Sequence, residues 1–322
     1  MVKNEDKSLK ERRILNLIYK ESDYQVVEES EDPDFKIKYK YEDRKFGVEI
    51  TEFYLNGSNA RIRNIPIYFE EIMNNRRYRH KEDKKVLEVK ELELISSDGS
   101  VEPIEGIMQE LPSYEEYSDL LADMINNKSN KYINYDKQLS HINLIIYDTE
   151  RRLNYIIKEE FCLYVMKNKL IKELIRTEFR EIFLITAIDS KEYYFPLKLI
   201  FVLTELYKLN AYINSNPQLV KSEEHELLVF ASYLHSIGMK NIAYIDKESI
   251  EIISSGYGII VDENNKLTIR NYNDYSIPKN SVIFNPEIES SSKFSSEVLN
   301  HINEFSSDSY LGTNIGFEVL ND

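Results

Sequence analysis

The sequence predicts an α/β fold in which a mixed central sheet is flanked by helices, followed by a smaller α+β unit. Three observations carry this expectation. Two short continuous apolar runs, His141–Tyr147 (HINLIIY) and Glu181–Ile188 (EIFLITAI), have the pattern of strands buried on both faces. Two β-type runs, Phe35–Tyr41 and Phe46–Phe53, flank the charged Glu42-Asp43-Arg44-Lys45 and read as a hairpin. Helical periodicities precede, separate and follow these runs, the element order of an α/β chain with a mixed sheet.

Taken in order, residues 7–21 place Leu9, Ile14, Leu15, Leu17 and Ile18 at helical spacing, with Ser8 as a cap. A strand at Tyr24–Glu28 and the hairpin follow. Asn56-Gly57-Ser58-Asn59 reads as a loop, 65–79 as a helix and 84–95 as a strand rich in Val and Leu. The acidic piece containing Gly99, Pro103, Gly106 and Pro112 reads as a loop or insertion. Ser113 caps a helix over Tyr114–Tyr135, whose first turn carries Glu115 and Glu116 where the helix dipole favours them. A helix over 150–177 separates the two apolar runs. Asn210–Pro217 reads as a linker, dividing a domain at 1–209 from another at 217–322. The second holds a helix at 222–236, β-type runs at 242–261, 266–270 and 281–284, and a Ser-rich tail.

The chain of 322 residues suits one large domain or two ordinary ones, and 42% hydrophobic with 30% charged residues is a soluble globular composition. Its single cysteine, Cys162, allows no disulfide within the chain and is the usage expected of a reducing cytoplasm. The charged start, MVKNEDKSLKERR, has no secretory pattern. The strongest apolar stretch, Tyr193–Tyr207, is interrupted by Pro196, Lys198 and Glu205, so no membrane association is expected. A net charge of −15 argues against non-specific coating of nucleic acid. The charge is uneven, however. Arg61–Lys90 holds nine basic and five acidic residues, Glu91–Asn127 ten acidic and no basic ones, and 201–322 eight basic and seventeen acidic. A nucleic-acid surface therefore belongs in the first two-thirds, where Arg76, Arg77, Tyr78, Arg79 and Lys81 form the densest basic cluster with an aromatic ring for stacking. The acidic final third suits a protein partner.

If Asp43-Arg44 forms a two-residue turn, Glu42 pairs with Lys45, Tyr39 with Val48 and Ile37 with Ile50. Lys36, Lys38, Lys40, Glu49 and Thr51 then share the polar face, with Asp34 at its edge. Two carboxylates on neighbouring strands suit a hard divalent cation. In that register Asp34 lies opposite Phe53, four positions or ~13 Å from Glu49, so a shared ion requires twist, a bulge or an irregular start to the strand at Pro33.

Pro33-Asp34 followed by Glu49-Ile50-Thr51 resembles the motif of the PD-(D/E)XK nuclease superfamily, as does a helix ending at Tyr135 followed by the strand His141–Tyr147. The resemblance covers about residues 1–200. It implies a restriction-endonuclease-like fold and Mg²⁺- or Mn²⁺-dependent hydrolysis of phosphodiesters, DNA before RNA. It implies a metal held by Asp34, Glu49 and the Ile50 carbonyl, completed by Glu11 or Glu21, and a bacterial defence role. Thr51 departs from the pattern, standing where the family has its catalytic lysine. Lys36, opposite Thr51 in the assumed register, is the preferred replacement. Lys128 and Lys131, three apart on one helical face, are alternatives, with Lys131 the favoured one of these two. A fold that has lost catalysis and acts as a binding module is the competing expectation. The five histidines share no metal-ligand spacing with one another or with Cys162, and Gly256-Tyr257-Gly258 lacks the lysine of a phosphate loop.

Overall fold

The computed structural model describes residues 2–41, 43–219, 223–239, 242–245, 249–252, 257–261, 267–271, 282–283, 294, 296–304 and 316–319. Glu42, Gly256 and most of the Ser-rich tail lie outside them.

In chain order, α1 (Val2–Ile18) leads into β1 (Tyr24–Glu29), β2 (Phe35–Tyr39) and β3 (Lys45–Phe53). Next come α2 (Gly57–Asn64), α3 (Tyr68–Asn75), the single turn α4 (Asp83–Val86) and the hairpin β4 (Glu88–Ile95) and β5 (Val101–Met108). Then follow α5 (Tyr114–Ser129), β6 (Ile142–Asp148), α6 (Phe161–Val165), α7 (Asn168–Arg176), β7 (Ile182–Ile188), β8 (Lys191–Pro196) and α8 (Leu197–Ser215). The remainder is α9 (Glu223–Ser236), β9 (Ile242–Ile245), β10 (Ser249–Ile252), β11 (Tyr257–Val261), β12 (Leu267–Asn271), β13 (Val282–Ile283), α10 (Ser296–Glu304) and β14 (Phe317–Glu318).

A mixed α/β architecture results. The seven-stranded sheet runs β1-β2-β3-β6-β7-β8-β14, with β3, β6 and β7 parallel to one another and the outer pairs antiparallel. β6 and β7 are buried on both faces, as their uninterrupted apolar runs require. Ile145, Phe183 and Ile185 pack with Phe46, Val48 and Ile50 against Ile14 and Leu15 of α1 and Tyr19 just beyond it. Leu144, Ile146, Ile182 and Leu184 face the opposite way, into the larger core under α5–α8. Among the described residues, β9–β13 form a separate five-stranded antiparallel sheet.

Several element boundaries differ from expectation. Ser8 lies inside α1, where its hydroxyl donates to Glu29 at 2.8 Å instead of capping. Asn56 is a helix cap, accepting from the Asn59 N–H, so the expected loop opens α2. The expected helix 65–79 is the shorter α3, and the Gly- and Pro-containing acidic piece pairs as β5 with β4. The five Glu side chains of this ribbon do not prevent pairing, because most of its side chains are exposed to solvent. The helix 150–177 is broken into 3₁₀ turns, α6 and α7. The linker expected at 210–217 is largely the end of α8, and Val229, Phe230, Tyr233 and Ile302 of α9 and α10 join the core beneath it. The N-terminus of α8 has no side-chain cap of its own, because Pro196 precedes it. Glu181 supplies the acceptors, taking the N–H groups of Lys198 (2.8 Å) and Leu199 (3.2 Å), and burial pushes its carboxyl above the ordinary range.

No helix of the described residues is long and apolar enough to cross a membrane. Cys162 is buried, and burial pushes its thiol up to about 12.

Candidate metal centre

The hairpin keeps the expected sidedness and changes the register. Val48 faces Phe35, not Tyr39, and Ile37 faces Phe46, a slip of four residues from the tight-turn register. An even slip leaves each side chain on its face. Phe35 and Ile37 meet Phe46 and Val48 over α1, while Tyr39 is left to pair with Tyr24 and to stack edge-on with Tyr41 at 5.3 Å. The two-residue turn is thereby replaced by a longer connection through Lys40–Arg44.

The slip removes the distance problem. Continuing the observed ladder by one step sets Asp34 directly opposite Glu49. The β2–β3 ladder has ended there, and Asp34 Oδ2 accepts the Ile50 N–H at 2.7 Å in place of a backbone carbonyl. Along an extended strand a residue's N–H and C=O point to the same side, so the Ile50 carbonyl is directed toward the same edge. The loop before Asp34 is held by Ser30, whose N–H donates to Asp34 O at 2.9 Å and whose hydroxyl donates to Pro33 O. The Asp32-Pro33 peptide is cis. Pro33 lies over Gly47, where a Cβ would stand 2.6 Å from Pro33 Cγ and 3.1 Å from Ile142 Cγ1. Glycine at 47 is what lets the loop fold across β3 and carry Asp34 inward.

Glu49 is 5% exposed, on the sheet face that looks toward α5. Its Oε1 accepts from Lys128 Nζ at 2.6 Å, and its Oε2 has no hydrogen-bond partner. Lys128 stands on the buried stripe of α5, three residues beyond Ile125 in the series Tyr117, Leu121, Ile125. The buried Tyr135 hydroxyl faces Glu49, and burial, the charge of Glu49 and hydrogen bonding to it push the phenol well above its ordinary value. Burial, and then the charge of Glu49, push Asp34 up to about 7, against the opposing Ile50 N–H; Glu11 of α1 adds to the rise. Glu11 pairs with Lys7 at 3.2 Å, and Lys7 is raised first by Glu11 and further by Asp34 and Glu49. Glu21 instead accepts from Asn16 and pairs with Arg12, away from this cluster.

The other expected residues lie elsewhere. Lys36 faces Gly47, not Thr51, and is held between Glu28 (3.2 Å) and Asp136 (3.1 Å). Lys38 faces Lys45, not Glu49. Lys131 is exposed beyond the end of α5, which stops at Ser129 and not at Tyr135. In the basic cluster, Arg76 is paired with Glu105 and Arg79 with Glu71 at 2.6 Å. Tyr78 is partly buried, packs on the small core of Tyr68, Ile72 and Leu87 and donates to Leu87 O at 2.9 Å. Arg77 and Lys81 are exposed.

Among the described residues no group of three His, Cys, Asp or Glu side chains is drawn together as a ready metal cage. The residues nonetheless fit a hard divalent cation. Mg²⁺ is commonly held by one or two carboxylates, with waters and substrate phosphate completing the shell. Asp34 and Glu49 supply two carboxylates whose mutual repulsion a cation would relieve, and Glu49 Oε2 is a buried acceptor with no donor.

The raised Asp34 gives a pH prediction. Its folded value lies above the ordinary 3.8, so the folded chain keeps a proton that the unfolded chain gives up. Stability of the metal-free chain is therefore expected to fall as pH rises from about 4 to about 7 and then to level off. Asp34→Asn, which keeps the acceptor for Ile50, should raise metal-free stability at pH 8 by about 1–3 kcal/mol in denaturant unfolding. A variant less stable than the parent at pH 8 would contradict the repulsion.

No family model, curated protein or solved structure matches the chain.

Proposed function

We propose that the chain is a metal-dependent phosphodiesterase acting on nucleic acid, DNA before RNA, with a restriction-endonuclease-like sheet. One observation carries the reading: Asp34 and Glu49 converge at the end of the β2–β3 ladder, with Lys128 on one oxygen of Glu49 and no donor on the other. The order of antiparallel hairpin, helix and parallel strand β6 supports it. Asp34, Glu49 and the Ile50 carbonyl would hold Mg²⁺ or Mn²⁺, with Glu11 beside them. The bound cation would supply a water of lowered pKa and a Lewis acid for the phosphoryl oxygen. Lys128 brings positive charge to the place where Thr51 brings none, stabilising negative charge that develops on attack. Ile50 N–H fixes Asp34, and Glu49 is fixed by Lys128, so neither carboxylate must reorganise to bind. The acidic residues beyond 201 suit contact with a basic protein partner.

A second reading, a nuclease-like module that binds without cleaving, is favoured by the Lys128–Glu49 ion pair, which already neutralises one carboxylate as a metal would. Metal removal separates the two. Chelation is expected to abolish cleavage of plasmid and oligonucleotide substrates, and added Mn²⁺ to restore it, with Mn²⁺ uptake seen by calorimetry and lost in Glu49→Gln. A chain that takes up no Mn²⁺ and cleaves nothing would leave only the binding module.

A further inference from the structure

Behind the carboxylates lies a cleft of about 510 Å³, lined by Tyr132, Tyr135, Ser129, Ser140, His141 and Glu178 among others. Its size falls in the range of small-ligand sites, about 300–1,000 Å³. Tyr135 connects it to the candidate metal centre: this residue, 3% exposed, lines the cleft, and its hydroxyl faces Glu49. The aromatic wall is braced from behind. Tyr132 packs edge-on against Tyr135 at 5.6 Å and against Phe179 at 5.3 Å. His141 is stacked on Phe46 at 4.8 Å, and Ser129 is tied to Thr177 at 2.7 Å. Such a wall is pre-formed. The rim is mixed donor and acceptor, and its charged members include Asp136 and Glu178 against Lys137. Asp136 is already paired with Lys36.

We infer that this cleft is a nucleobase subsite, which takes the base adjoining the phosphate held at Asp34 and Glu49. The inference rests on the proposed phosphodiesterase reading. The carboxylates of Asp136 and Glu178 are offset by Lys36 and Lys137, so the cleft has no excess of positive charge to draw a phosphate inside, whereas a neutral, flat ring with hydrogen-bonding edges suits aromatic walls with polar groups at the margin. A base seated there has left its stack, and leaving it is least costly where the base is unpaired. The preferred substrate is accordingly a single strand or an unpaired nucleotide.

The test uses the full chain and the four deoxynucleosides, which carry no phosphate, titrated by calorimetry beside 2-deoxyribose. At least one nucleoside should bind tenfold or more tightly than the sugar. Tyr132→Leu should weaken it fivefold or more, and Ser140→Trp, at the exposed rim, should block it by filling the cleft. Glu49→Gln should leave nucleoside binding unchanged while removing cleavage. Four nucleosides that bind no better than the sugar overturn the subsite, even if Mn²⁺-dependent cleavage is present. Nucleoside binding in a chain that cleaves nothing defeats the phosphodiesterase reading and leaves the subsite standing. Where cleavage occurs, single strands should be cut at least tenfold faster than duplex of the same sequence, and equal rates overturn the substrate preference.

Discussion

Lys128→Met is expected to lower kcat for phosphodiester cleavage by about 10²–10³ while Mn²⁺ binding is kept or tightened. The Nζ group lies 2.6 Å from Glu49 Oε1, with the side chain 20% exposed. Methionine has nearly the same length, so the face of α5 that packs on the sheet is preserved. Removing the ammonium frees Glu49 Oε1 for a cation, which is why metal affinity should not fall. On the phosphodiesterase reading, what would be lost is the positive charge beside the reacting phosphate. Lys36→Ala and Lys131→Ala should each change kcat less than about threefold, since neither approaches Glu49. Their ordinary behaviour and the failure of Lys128→Met would assign the role to one lysine. Loss of Mn²⁺ binding in Lys128→Met would instead make that lysine a support for Glu49.

The second large effect is structural. Asp83 is 0% exposed beneath α2–α4, accepting from Ser58 (2.7 Å), the Tyr68 hydroxyl (2.6 Å) and Arg61 through Nε and Nη2. Burial alone would raise its carboxyl, but the hydrogen bonds from Arg61, Tyr68 and Ser58 outweigh it and hold Asp83 at about 2. Asp83→Ala leaves a guanidinium, a phenol and a hydroxyl without their common acceptor, and should destabilise this layer by about 3–5 kcal/mol. Hydrogen exchange should accelerate through residues 57–108 and change little in β6 and β7. Because the folded value lies below the ordinary 3.8, this contribution is full above about pH 4 and lost as pH falls toward 2. Uniformly faster exchange throughout the chain would show that the layer is not a separate unit.

Much of the sheet was legible in the sequence for a simple reason: β6 and β7 are buried on both faces, and only apolar runs survive there. Alternation in the hairpin likewise fixed which residues share a face. It did not fix the register, since alternation is unchanged by a slip of four, and the choice fell to Phe35, Tyr39 and the fit of Pro33 on Gly47. The slip moves Asp34 from opposite Phe53 to opposite Glu49. Lys128 did leave a signal. It continues the stripe Tyr117, Leu121, Ile125, so a lysine at that position points into the protein and requires an acid to meet it. The same spacing shows nothing for Lys131 once α5 stops at Ser129. The packing of Tyr78 could not be read from the sequence, because an aromatic among arginines looks the same there whether it stacks on a ligand or lies against a small core.

The margins of the large sheet have a consequence for solubility. β1 exposes one open edge, and it carries Gln25, Glu28 and Glu29 with an irregularity between Val26 and Glu28 that interrupts its pairing. At the other margin, among the described residues, β14 pairs with Tyr193 and Tyr194 of β8. A charged, irregular border resists the addition of a foreign strand, whereas the bare edge of β8 would present aromatic backbone ready to recruit one. By occupying the backbone of Tyr193 and Tyr194, β14 takes up pairing groups that would otherwise be open to another chain, at the margin of the sheet opposite β1.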